Sequence, residues 1–393
     1  MPEPIRILFT IPNFITAGSG RAMLNIIERL DRNKFVPAVC VSRKGGRLDK
    51  EVEALGIPFI EANFTVPARP YSSLPLRAWK AARAFRPYRF DLWHSFHYAD
   101  DYTEPLIARL SGATAWVYTK KNMNWGRRSW HLRTLFATKI AAQNTDMLRE
   151  FFAGRGAHKV RLVPRGVNTG RFCPAAVPTW KLRHKLGISE ASIVASCVAQ
   201  LLPVKGHATL LEALARVPDV ELLIAGAPLD KDYASSLEEL SVRLKIKDRV
   251  SFLGEVREVP ELLSETDIFI LPTLGRGRME GCPVALLEAM SCGKPCIATY
   301  IPGARDIVED GKNGLLVPPE NATLLAEAIS RLSSSPELRK SLGVAARKRI
   351  EDRFSIDREV AVHEELYVSI FPRLGSRDAA TQTAEWSRQL PSM

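Results

Sequence analysis

The sequence has no apolar run approaching the roughly 18 residues that a membrane-spanning helix needs. Its opening stretch, MPEPIRILFTI, has no basic region ahead of a short apolar run, which argues against a secretory leader. A cytoplasmic protein is expected, either free or peripheral on the inner face of the cytoplasmic membrane. Cysteine is sparse and scattered: Cys40, Cys173, Cys197, Cys282, Cys292 and Cys296. The last three are close, but no second pair stands at zinc spacing, so all read as small buried residues rather than metal ligands. Internal repeats and low-complexity segments are absent, which argues against a repeat architecture. Acidic charge is scarce in the first half. Residues 1–178 hold 28 Lys and Arg against 13 Asp and Glu, a net of +15. The remainder is net −3, so the whole excess of +12 comes from the first half. Such asymmetry points to an anionic partner for that half.

What is present suits two ordinary globular domains: 393 residues, 46% of them apolar and 25% charged. Short apolar runs alternate with helix-like segments from Ile5 onward, and a second such series starts at Ile193. Residues 173–178, with two prolines, read as a linker. The expected division is a first domain over 1–178, a second over 179–355, a last helix over 356–371 and a disordered polar tail over 373–393. Two α/β, Rossmann-like domains facing a cleft are the expected architecture.

The second series is organised around residues 267–299, DIFILPTLGRGRMEGCPVALLEAMSCGKPCIAT. A buried strand stops at Pro272, a Gly- and Arg-rich loop follows, and 284–290 reads as a helix with Pro283 at its start. This places the loop at the carboxyl end of a strand, where open α/β sheets bind ligands. Glu280 sits in the loop and Glu288 lies eight residues on, inside the helix. The helix start between them offers free N–H groups and a positive dipole end, which suits phosphate. A nucleoside-diphosphate sugar fits such a site, with hexose hydroxyls to Glu280 and ribose hydroxyls to Glu288. A capped surface helix with two solvated glutamates fits the spacing equally well.

The first series opens with a strand over 5–11, a loop ending in Gly18-Ser19-Gly20, and a helix from Arg21. The two glycines allow close backbone approach, but the third glycine of a dinucleotide fingerprint is missing, and a plain tight turn is as good a reading. His94, at the end of a central strand, is either a polar group lining a cleft or a structural residue. Segment 74–85 reads as a basic helix with Arg77, Lys80 and Arg83 among Trp79 and Phe85. Arg127, Arg128, Trp130 and Arg133 make a second basic-aromatic cluster. Basic faces with aromatics favour anionic membrane surfaces; a solvated basic face over a core Trp79 is the alternative.

With both halves read, the sequence resembles the retaining glycosyltransferase family four, of the GT-B fold, over nearly its whole length. The segment from Glu280 to Met290 (EGCPVALLEAM) looks like the family's paired-glutamate segment. Leu202 to Lys205 followed by Gly206 resembles its donor-phosphate loop. Phe252-Leu253-Gly254, Asp310 to Pro318 and Arg165-Gly166-Val167-Asn168 are similar to further family turns.

The resemblance implies a hexose-type transferase that takes a UDP- or GDP-linked donor and needs neither metal nor cofactor. Its acceptor would be a glycan or lipid-linked molecule in envelope assembly. Glu280, Lys205 and His94 would serve catalysis. The donor would touch Gly18, Ser19, Gly20, Gln200, Lys205, Gly226, Val256, Arg278, Glu280, Gly281, Cys282, Pro283, Val284 and Glu288, and the acceptor Lys121 and Arg127. An anionic membrane surface is an expected partner and nucleic acid is not. Three positions depart from the family: Gln200 stands where Arg is usual, Lys121 near where a histidine is frequent, and Asp306 where glutamate is common. Arg276 or Arg278 could replace the missing cation. An epimerase or a catalytically silent sugar-nucleotide binder on the same fold is the alternative reading.

Overall fold

The computed structural model describes residues 3–15, 17–125, 128–154, 156–175, 179–277 and 280–371. The chain forms two compact units. The first comprises residues 1–121, 125–164 and 359–393, and the second comprises 122–124 and 165–358. This division falls between Pro164 and Arg165, ahead of the boundary expected at 178.

Unit 1 alternates strand and helix: β1 (Ile5–Ile11), α1 (Ala17–Arg29), β2 (Phe35–Val41), α2 (Asp49–Ala54), β3 (Phe59–Glu61), α3 (Leu74–Arg83), β4 (Leu92–Ser95), α4 (Thr103–Ser111), β5 (Ala115–Lys120), α5 (Arg128–Phe136), β6 (Lys139–Ala142) and β7 (Val160–Leu162). The strands are fully parallel, in the order β3-β2-β1-β4-β5-β6-β7. β1, β2 and β5 are almost wholly buried and mostly apolar, Arg6, Thr10, Thr119 and Lys120 being the exceptions, as burial on both faces of a parallel sheet favours. Direction of winding reverses between β1 and β4.

Unit 2 holds α6 (Lys181–Leu186), β8 (Ile193–Val198), α7 (His207–Leu214), β9 (Val220–Ala225), α8 (Lys231–Arg243), β10 (Val250–Gly254), α9 (Val259–Ser264), β11 (Ile268–Leu271), α10 (Val284–Ser291), β12 (Cys296–Thr299), α11 (Ala304–Ile307), β13 (Leu315–Val317), α12 (Ala322–Ser333) and α13 (Pro336–Arg353). Its parallel order is β10-β9-β8-β11-β12-β13, reversing between β8 and β11. One side of this sheet packs on α7, α8 and α12 through Leu210, Leu214, Leu237, Leu325 and Ile329. The other packs on α10, α11 and α13 through Leu286, Leu287, Met290, Ile307 and Ile350.

The last helix, α14 (Ile356–Ile370), starts in unit 2 and belongs to unit 1 from Glu359 on. The Glu364 carboxylate accepts from Asp31 N at 2.8 Å, and Tyr367 is fully buried edge-on to Phe35.

Two local expectations change. The Gly18-Ser19-Gly20 stretch is not a loop: α1 already runs from Ala17, so these residues form its first turns. Gly20 is there for packing, since a Cβ would lie 2.6 Å from the Phe14 ring. Residues 181–186 carry an unforeseen helix. It is polar in sequence and is held by distant groups: Glu265 accepts from Leu182 N and Arg183 N, and Arg183 pairs with Asp267 at 2.8 Å. The tail expected to be disordered lies outside the described residues.

Candidate functional site

The reversal between β8 and β11 puts the loop after each strand side by side. Leu274 N donates to Val204 O at 2.9 Å. Gly206, at φ +73°, ends the first loop and begins α7; a Cβ there would lie 1.9 Å from Pro272 O. Only glycine lets the two loops approach this closely. The same logic holds at Gly226, where a Cβ would lie 1.8 Å from Ala199 O.

That contact brings Lys205 and Glu280 together across 75 residues of sequence as an ion pair, Lys205 Nζ to Glu280 Oε1. Lys205 is 8% exposed, while Glu280 is open to solvent. The pair is therefore a desolvated ammonium held by a carboxylate that a ligand can reach. Gln200 is exposed. Arg276, considered as the substitute cation, is itself paired with Glu320 at 3.1 Å, and Arg278 lies outside the described residues.

Helix α10 begins directly after this loop. Gly281, Cys282 and Pro283 are buried, Val284 is half-buried, and the helix has no side-chain cap at its start. Glu288, in the second turn, is half-buried. Burial pushes its carboxyl up to about 7, and the Arg171 charge offsets this only in part. Arg171 pairs with Glu258 at 3.6 Å, so an Arg171–Glu258 arm borders this glutamate; no periodicity or motif in the sequence signals it. Val256 is half-buried against the apolar cluster of Val194, Leu223, Ala225 and Leu262. Lys205, Glu280 and the start of α10 are thus gathered at the carboxyl end of one sheet, at its winding reversal, the position where such sheets bind ligands. An ammonium, free-ended helix amides and two carboxylates can hold a phosphate and hydroxyl groups.

In unit 1 the candidates fare differently. His94 is fully buried, and its ring nitrogens are taken by Tyr367 Oη at 2.6 Å and Thr119 Oγ1 at 2.9 Å. Phe9, Phe96 and His363 surround it. In this arrangement it anchors α14 to the sheet rather than lining a site. Lys121 donates to Phe96 O and lies near the Phe96 and Tyr98 rings. Arg127 lies outside the described residues. Arg133, read as a surface cation, is fully buried over Trp116 and pairs with Glu104 at 3.3 Å. Glu104 also accepts from Thr10, Trp93 and Ser95. On α3, Arg77 turns to the backbone carbonyls of Pro67 and Pro70, and Phe85 is buried. Leu76, Trp79, Lys80 and Arg83 face solvent, with Arg83 and Arg86 flanking the Trp79 ring at 5.2 and 5.6 Å. Among the described residues no helix is long and apolar enough to cross a membrane, and no cluster of His, Cys, Asp and Glu could hold a metal.

The two parallel Rossmann-like units define a GT-B fold. Solved structures agree. A glycosyltransferase from Rickettsia africae superposes with a TM-score of 0.84 at 23% identity, covering 94% of this chain and 100% of that one. Anabaena HepE in complex with UDP-glucose does so at 0.77 and 22%, covering 93% and 99%.

The chain belongs to the family-four, group 1 glycosyltransferases. The family model described as Glycosyltransferase Family 4 matches residues 16–171, and that described as Glycosyl transferases group 1 matches 178–349. Among curated relatives, a GDP-mannose-dependent monoacylated alpha-(1-6)-phosphatidylinositol monomannoside mannosyltransferase of Corynebacterium glutamicum is 34% identical over 53% of this chain and 56% of its own. A UDP-Gal:alpha-D-GlcNAc-diphosphoundecaprenol alpha-1,3-galactosyltransferase of Escherichia coli is 25% identical over 91% and 95%. The chain spans about half the length of several of the curated relatives it matches.

Proposed function

We propose that this protein transfers a hexose-type sugar from a UDP- or GDP-linked donor, with retention and without a metal, to a glycan or lipid-linked acceptor in envelope or exopolysaccharide assembly. The observation that carries the donor reading is the Lys205–Glu280 pair at the carboxyl ends of β8 and β11. The named activities of the corynebacterial and Escherichia coli relatives, one GDP-mannose-dependent and one using UDP-Gal, support the donor class.

As the glycosidic bond breaks, negative charge grows on the leaving phosphate. A pre-placed ammonium and the first amides of α10 stabilise it at no cost of reorganising water. Without ligand, Lys205 is neutralised by Glu280, so donor binding exchanges partners: phosphate takes the ammonium and hexose hydroxyls take the carboxylate. Glu288 holds the ribose. Retention follows from attack on the face that the phosphate leaves, and that phosphate accepts the acceptor's proton.

A thermal-shift panel of UDP, GDP and their sugars tests the reading, because a ligand raises apparent stability by mass action. No shift with any of them sinks it. Activity that vanishes in EDTA and returns with Mg²⁺ would overturn the metal-free part alone.

For the acceptor, the outward face of α3 supports docking on an anionic membrane. Trp79 is 40% exposed and Leu76 54%, beside Lys80, Arg83 and Arg86. Binding to liposomes containing anionic lipid should fall as salt rises. Indifference to such liposomes at low salt would favour a soluble acceptor.

A further inference from the structure

Cys173 is exposed and Cys292, at the end of α10, is buried. They are far apart in sequence, but the residues that flank them touch. Phe172 O, just before Cys173, accepts from Ser291 Oγ at 2.5 Å, just before Cys292. Just after them, the Pro174 ring lies 3.4 Å from where a Gly293 Cβ would stand. One nitrogen of Arg347 donates to Phe172 O at 2.8 Å and to Ser291 O at 2.7 Å, which fastens the two segments together. With 172 beside 291 and 174 beside 293, and with Cys173 close enough to act on the Cys292 thiol, the two cysteines are neighbours in space.

We propose that Cys173 and Cys292 are a redox-sensitive pair that closes to a disulfide when the protein meets a small-molecule disulfide such as oxidised glutathione. The difference in exposure fixes the order of events. The Cys173 thiolate attacks one sulfur of the reagent and expels the first thiolate, leaving a mixed disulfide on Cys173. The Cys292 thiolate then attacks the Cys173 sulfur, forms the internal bond and expels the second thiolate. Two protein thiols lose two electrons, and the reagent gains them as two thiols once protonated. Burial pushes the Cys292 thiol up to about 12, with nearby Lys294 lowering it and Cys173 itself raising it, so the second step is the slow one. The remaining buried cysteines, Cys40, Cys197, Cys282 and Cys296, are shielded from the reagent. The bond would fasten the end of the helix that carries Glu288 to the segment preceding α6. The inference does not depend on the activity proposed above.

The test treats the reduced full-length protein with oxidised glutathione under native conditions, quenches by alkylation, and maps peptides without reduction. The expected result is a Cys173–Cys292 linked peptide that grows in after a glutathione adduct on Cys173 and disappears with a thiol reductant. Cys173→Ser, an exposed and conservative change, should abolish both the link and the adduct. Cys292→Ser should leave the adduct on Cys173 in place indefinitely. A link between Cys292 and Cys296, a permanent adduct on Cys173 in the unsubstituted protein, or no reaction at either residue would overturn the pairing.

Discussion

The two sheets share one strand order, save for an extra edge strand in unit 1, yet their polar centres are opposites. In unit 1, Thr10, Trp93, Ser95 and Arg133 converge on Glu104, and every one of them is sealed from water. In unit 2, Lys205 is buried but its partner Glu280 reaches solvent. Both sets lie near strand ends where winding reverses. Position in the sheet therefore does not separate a site from a structural network. What separates them is whether the charge is already satisfied where no ligand can reach it. A buried pair with additional donors resists exchange; a pair with one open end is ready for it.

The largest expected effect lies on the sealed side. Glu104→Gln leaves Arg133 buried without a counter-charge and should cost roughly 3–5 kcal/mol of stability in urea unfolding. Lys205→Ala should cost less than about 1 kcal/mol in the same assay, since its partner is solvated. Comparable losses would erase the distinction between the two centres.

Next comes ligand affinity. Lys205→Ala should weaken nucleoside diphosphate by about 1.5–3 kcal/mol, and the nucleoside hardly at all, because a charge-assisted phosphate contact is gone. Glu280→Ala frees Lys205, so turnover should collapse while diphosphate affinity holds or rises. Calorimetry showing parallel losses for diphosphate and nucleoside in the lysine variant would return Lys205 to a structural role.

A smaller effect is set by Glu288. Its folded-state carboxyl is raised to about 7, so the fold binds a proton that the unfolded chain releases at lower pH. Its contribution to stability therefore declines as pH rises from the ordinary carboxylate range to about 7, then levels off. Affinity for nucleoside should do the reverse, rising through pH 7 as the ionised carboxylate becomes the better acceptor for ribose hydroxyls. Glu288→Gln should flatten both slopes; an unchanged pH profile would remove this residue from the ribose contact. Smallest is the surface of α3. Reversing Lys80, Arg83 and Arg86 should cost about 1 kcal/mol per charge in liposome binding and leave donor affinity alone. The same change at Arg77 should instead disturb its loop, since that side chain clamps Pro67 and Pro70.

Strands were the most legible part of the sequence. The runs at Ile5–Ile11, Leu92–Ser95, Val220–Ala225, Ile268–Leu271 and Leu315–Val317 are readable to the residue, because a strand buried on both faces is a short, mostly apolar run. The unit-2 loops were legible as motifs. The fate of individual polar side chains was not. Arg133 looks like a surface cation until Glu104, 29 residues away, is folded beneath it. His94 looks like a lining residue until α14 returns with Tyr367, 273 residues later. Arg276 looks available until Glu320 meets it. Each of these depends on a partner whose distance in sequence carries no periodic signal.

The close approach of Gly206 to Pro272 also bears on how such enzymes can be recombined. The lysine-bearing turn and the glutamate-bearing turn are fitted to each other at the level of single atoms, with no room for even a methyl group between them. A graft that imports one turn from a relative while keeping the other native would meet a mismatched surface along this seam. The smallest exchangeable cassette therefore contains both turns, together with the ends of β8 and β11 that present them.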